Sequence, residues 1–199
     1  MTTKSVIWRR TDGSGTEHAT LVVAEDAITL LGTVVTAEEG RPLTIRYRVE
    51  CDPIWRTRSV IVDASGDSAT TTALVQASSR GDGRWIGTTM QGERVPLFTW
   101  NGCIDIDLGF SPITNLLPIR RLAPAIGESV DVAAAWIRFP GFGVKPLPQR
   151  YTRLSEFRYR YESFDPGYET EIEVDDLGLV VRYGDVWERI ADSDGAQTS

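Results

Sequence analysis

The chain has 199 residues, 41% of them hydrophobic and 25% charged. These are values of an ordinary globular protein and exclude a disordered, collagen-like or disulfide-framework chain. The net charge of -7 argues against a nucleic-acid partner, because phosphate backbones draw basic surfaces, and against anionic lipid surfaces.

A chain of this length can bury roughly 70% of its unfolded surface, enough for one core without staples. A single domain over residues 1–190 is therefore expected, with the small, polar residues 191–199 as a disordered tail. At the N-terminus, Arg9 and Arg10 follow directly on Val6-Ile7-Trp8, so no apolar signal segment forms. No stretch approaches the roughly 18 apolar residues of a membrane span, and a cytoplasmic location is the expectation. The two cysteines, Cys51 and Cys103, have no Cys-x-x-Cys spacing. No structural zinc site and no cofactor is implied.

The dominant hydrophobic period is two. Strands are predicted over residues 5–9, 19–24, 27–37, 44–50, 56–63, 70–77, 84–90, 130–139, 151–162, 170–174, 179–182 and 186–189. In 44–50, Ile45, Tyr47 and Val49 share a face. In 151–162, Tyr151, Phe157, Tyr159 and Tyr161 share another, which serves equally as a barrel wall or a ligand surface. Gly- and Asn/Asp-containing turns separate the strands, as at Asp12-Gly13, Asn101-Gly102 and Asp165-Pro166-Gly167. Many short strands at even spacing imply an all-β meander, sandwich or barrel.

One segment departs from the pattern. Within residues 109–122, Ser111 suits a helix N-cap and Pro112 the first helical position, while Pro118 is expected to stop or kink what begins there. A short helical segment near 111–121 is expected between two blocks of sheet. Residues 140–148, with three prolines and two glycines, read as a loop.

His18 is the only histidine, so a serine triad or a His-rich metal site would have to use it. Its place at a strand start favours a solvated or structural role. Nucleotide-binding glycine motifs are absent. The sharpest carboxylate pair is Asp105 and Asp107, which an i, i+2 strand spacing places on one face. Asn115, Arg120 and Arg121 follow closely, and an Arg guanidinium binds a carboxylate or a phosphate with two parallel bonds. This set is either a polar headgroup site or an internal clamp, one Arg pairing with Asp107 to hold the loop to the sheet. Most of the six tryptophans are expected in the core.

The run from Gly102 to Leu122, with Asp105, Asp107, Pro112, Asn115, Pro118, Arg120 and Arg121, resembles the central signature of the bacterial "putative glycolipid-binding" family. Trp8 followed by Glu17 and Leu21 agrees with it, as does Tyr151 followed by Asp175, Tyr183 and Arg189. The resemblance spans about residues 5–190, with Gly184 where the family usually has proline. It implies a single antiparallel sheet curled into a spiral β-roll or half-barrel, similar in fold to periplasmic lipoprotein carriers.

The same resemblance implies an apolar trough that binds a lipid or glycolipid without catalysis. Asp105, Asp107, Asn115, Arg120, Arg121, Tyr151 and Tyr183 are then candidates to orient its headgroup, and Trp8, Glu17, Pro112, Pro118 and Asp175 candidates for a structural role. Two other readings stand beside this one: a hydrolase using the Asp105/Asp107 pair, and a structural or partner-binding module without a small ligand.

Overall fold

A computed structural model describes residues 1–66, 73–88, 94–165 and 167–194. Alternating burial builds the first strands: β1 (Thr2–Arg10), β2 (Gly15–Val23), β3 (Ile28–Glu38), β4 (Arg41–Cys51) and β5 (Thr57–Gly66). In β4, Leu43, Ile45, Tyr47, Val49 and Cys51 are buried while the residues between them are partly or fully exposed. Then follow β6 (Ala73–Ser79), β7 (Trp85–Thr88), β8 (Arg94–Pro96) and β9 (Asp105–Leu108). The last six are β10 (Ser129–Ile137), β11 (Val144–Arg153), β12 (Arg158–Ser163), β13 (Tyr168–Val174), β14 (Val180–Tyr183) and β15 (Trp187–Asp194).

Among the described residues the strands form one sheet in the order β8-β7-β6-β5-β4-β3-β2-β1-β15-β14-β13-β12-β11-β10-β9. Apart from β8 and β9, which do not pair with each other, consecutive strands are neighbours, and β1 joins β15 at the middle. The sheet is not closed, its edges being β8 and β9. It curls, so that β9 approaches β5 and both wings share one apolar core. The expected β-roll is thus the observed architecture.

One correction concerns strand direction: β9 and β10 are parallel, in a sheet expected to be antiparallel throughout. The chain between them crosses over through a 3-10 turn (Ile113–Asn115) and the helix α1 (Leu116–Leu122). A parallel pair requires such a crossover. Pro118 does not stop this helix. It lies in the first turn, where the backbone N–H has no helical partner to lose. The helix ends instead at Ala123, whose left-handed φ of 42° caps it.

Residues 151–162 are a hairpin, β11 and β12, rather than one strand. Tyr151 pairs with Tyr161 and Arg153 with Tyr159. Odd-numbered residues therefore keep one face on both strands, and the sequence alternation passes through the turn unbroken. Residues 144–148, expected as loop, belong to β11. Pairing with β12 begins only at Gln149, so Pro146 and Pro148 sit where that side of the strand has no partner.

β15 extends through Asp194, so residues 191–194 are strand. Residues 195–199 lie outside the described residues, as do Pro166 and the parts of two expected strands at 70–72 and 89–90.

The concave face is occupied by the chain itself. Leu116, Leu117 and Ile119 of α1 are buried against the sheet with Phe110 and Ile113. Each such side chain contributes about 1.5–3 kcal/mol relative to exposure. Trp8 is fully buried at the centre, and its Nε1–H donates to the Val180 carbonyl at 2.8 Å.

Candidate functional site

The loop leaving β9 is held from two sides. The Asp105 carboxylate is 1% exposed and takes two hydrogen bonds from Arg121, Nε to Oδ1 at 3.1 Å and Nη2 to Oδ2 at 2.5 Å. Further along, Ser111 Oγ donates to Glu17 at 2.7 Å and accepts from the Ile113 N–H at 3.2 Å. Tyr47 donates to the same Glu17 oxygen. Burial pushes the Glu17 carboxyl up to about 7, with the two hydroxyl bonds opposing it.

These anchors leave a half-open cavity of about 250 Å³ beside the loop. Asp107, Gly109, Ser111, Pro112 and Asn115 line it. Tyr161, Tyr168 and Tyr183, in contact with one another, form a wall, and Trp136, Trp187 and Arg10 also line the cavity. The Tyr168 and Tyr183 rings stack, with centroids 6.2 Å apart and planes 7° from parallel. Tyr161 tilts against both. Burial raises the Tyr161 and Tyr183 phenols well above their ordinary range, so these two stay neutral donors at physiological pH.

Asp107 is only partly buried, at the cavity it lines. It accepts a hydrogen bond from Gln149 Nε2, whose amide also reaches the Tyr161 hydroxyl at 3.0 Å. Desolvation pushes the Asp107 carboxyl up to about 6, opposed by the Gln149 bond. Asp165, on the same cavity, pairs with Lys145 at 2.7 Å. The Arg10 guanidinium is held by Asp12 and lies 5.4 Å from the centre of the Trp187 ring.

The structure thus brings Asp107, Asn115, Tyr183 and Pro112 to one cavity. Tyr151 stands one bond behind, its hydroxyl donating to Asn115 Oδ1 at 2.9 Å. Asp105 and Arg121 face each other instead of the cavity. The expected clamp between an Arg and Asp107 is corrected to Arg121 and Asp105, because Arg121, not Arg120, projects from α1 toward β9. Arg120 is exposed, 5.4 Å from the Trp55 ring centre. It borders a separate cavity of about 410 Å³ with Arg153 and Tyr159.

Pro118 is buried in α1. Asp175 accepts the N–H groups of Leu177 and Leu179 and an ion pair from Arg189 at 2.8 Å. His18 is exposed on β2. Cys51 and Cys103 are free and buried, their thiols pushed up to about 12 and about 11 by desolvation, which leaves them poor nucleophiles.

Sequence reasoning missed Gln149, Tyr168, Trp136, Trp187 and Arg10. Gln149 was legible in principle, since it continues the alternation of Tyr151 and Tyr161 by two residues. The others converge from β1, β10, β13 and β15, which no local pattern relates. A second cavity of about 250 Å³ adjoins the first at Gly109, Arg10 and Trp187, and is lined by Val34, Phe110 and Phe139.

No group of three or more His, Cys, Asp or Glu suited to a metal ion occurs among the described residues. No helix among them is long and apolar enough to cross a membrane. The sequence profile of a family described as "Putative glycolipid-binding" matches residues 5–189. The crystal structure of a DUF1089 family protein from Pseudomonas aeruginosa is similar, with a TM-score of 0.78 and 29% identity over 89% of this chain and 92% of that one. No curated protein matches the chain.

Proposed function

The chain belongs to the family described as "Putative glycolipid-binding", and from that membership we propose that it binds the polar headgroup of a glycolipid in the tyrosine-lined cavity, without catalysis. One observation carries the reading: Asp107, Asn115 and three tyrosines meet in a single half-open cavity. Aromatic faces with a few convergent polar groups are the usual make-up of a small-molecule site. At about 250 Å³ the cavity lies just below the roughly 300–1,000 Å³ of drug-sized pockets, a fit for a sugar-sized head and not for a long acyl chain.

The concave trough that would hold such a chain is packed by Leu116, Leu117 and Ile119. The apolar part of the ligand therefore leaves across Gly109 toward Val34, Phe110 and Phe139. A hydrolase built on Asp105 and Asp107 gains no support, because Asp105 does not line the cavity and is bound by Arg121. The signature also locks its own loop, through Arg121 and Ser111, so one segment both anchors the loop and presents Asp107 and Asn115 to the cavity.

The test is native mass spectrometry of the purified protein together with a titration of n-octyl glucoside followed by tryptophan fluorescence, Trp136 and Trp187 being the reporters. A copurifying amphiphile of several hundred daltons, or a saturable fluorescence change weakened by Tyr183→Ala, is expected. An apo mass alone with no response to the glucoside overturns the reading.

A further inference from the structure

Of the carboxylates set into this structure, Asp105 is paired with Arg121, Asp52 with Arg56 and Arg58, and Asp175 with Arg189. Glu17 is closed in by Tyr47 and Ser111. Asp107 differs from all of these. It faces a cavity, and among the described residues its side-chain partner is the neutral amide of Gln149. Arg10, on the same cavity, is committed to Asp12 and to the Trp187 face. Lys145 is committed to Asp165 and lies 5.6 Å from the Trp136 ring centre. Among the described residues, the other charged groups lining the cavity, Arg10 and Asp165, are therefore matched in pairs, and Asp107 is left over.

A desolvated carboxylate calls for a cation or several donors. The Tyr168 and Tyr183 rings line the same cavity and stack on one another, and aromatic rings attract cations. We infer that the headgroup carries an ammonium group, as in an amino sugar, which pairs with Asp107 against the tyrosine wall. This inference rests on the headgroup reading above and names the charge of the ligand that site takes. A neutral sugar gives Asp107 a hydrogen bond but no countercharge, and an anionic head meets it with repulsion. The raised carboxyl of Asp107, at about 6, agrees with a site whose cation is supplied from outside the chain.

Three n-octyl probes at pH 7 decide it: the 2-amino-2-deoxyglucoside, the glucoside and the glucuronide, each titrated calorimetrically into the wild-type protein. The amine is expected to bind about tenfold or more tightly than the glucoside, and the glucuronide more weakly than either. In Asp107→Asn, its fold checked by thermal melting, the ratio of amine to glucoside affinity is expected to fall to about one. Glucoside or glucuronide binding as tight as the amine overturns the inference and leaves the headgroup reading standing. A ratio unchanged in Asp107→Asn likewise overturns it. Binding of none of the three overturns the headgroup reading and the inference with it.

Discussion

Arg121 on α1 and Asp105 on β9 form a bidentate ion pair at 2.5 and 3.1 Å, and this pair fastens the crossover to the edge of the sheet. Asp105 is 1% exposed and the Arg121 side chain 15%. Losing one partner of a buried pair typically costs about 3–5 kcal/mol, because the other charge stays behind without compensation. Arg121→Ala is therefore expected to lower the melting temperature by roughly 10 °C. Arg120→Ala, which removes an exposed side chain over Trp55, is expected to cost at most about 1 kcal/mol. Equal melting temperatures for the two variants would show that the pair adds no stability.

Gly32 permits the bond between Tyr47 and Glu17. The two strands pair Gly32 with Tyr47, and the ring lies over the glycine on its way from β4 to Glu17 on β2. A Cβ at position 32 would stand 2.6 Å from Tyr47 Cζ, so Gly32→Ala must push the ring away and break its bond to Glu17. A loss of about 2–3 kcal/mol is expected, read by chemical denaturation. A neutral outcome would mean that Tyr47 finds an equivalent position.

Glu17 makes stability depend on pH near neutrality. Its folded value of about 7 stands above the ordinary 4.5, so the folded state holds the proton more tightly than the unfolded state. The resulting stabilisation is complete below the unfolded value and is lost as pH rises through about 7. The full swing is on the order of 3 kcal/mol. Glu17→Gln, which cannot ionise, is expected to reduce the fall of the melting temperature between pH 6 and pH 8, where Glu17 dominates, while Asp107 still contributes below about pH 6. A variant with the slope of the wild type would assign the dependence to other groups.

Gly109 sets the shape of the cavity. A Cβ there would lie 2.6 Å from Trp136 Nε1 and 3.1 Å from the Ile137 carbonyl. Gly109→Ala is expected to displace the Trp136 ring, weaken octyl glucoside binding about tenfold or more, and cost about 1–3 kcal/mol in stability. Affinity and melting temperature measured on the same sample separate the two effects. Unchanged affinity would place the ligand away from Trp136.

The sequence alone determined the class of the fold and most of its strands. Two-residue alternation is a local property of half-buried strands, and it holds at 44–50 as it does through the hairpin at 151–162. It also marked the segment from Gly102 to Leu122 as the exception, with its helical turn. Local pattern was blind to the direction of β9, which depends on the crossover through α1 to β10. It was blind to the strand character of residues 144–148, where a missing neighbour tolerates proline.

Only the tertiary structure decided how the polar signature divides. Asp105 and Asp107 stand two residues apart on β9. One meets Arg121 and becomes an internal anchor, while the other meets Gln149 and an open cavity. Curling a sheet of many strands brings β1, β10, β13 and β15 around Asp107, and the side chains that complete its surroundings are separated by most of the chain. A carboxylate's role follows from what desolvates and pairs it, and those neighbours are fixed by packing rather than by spacing along the sequence.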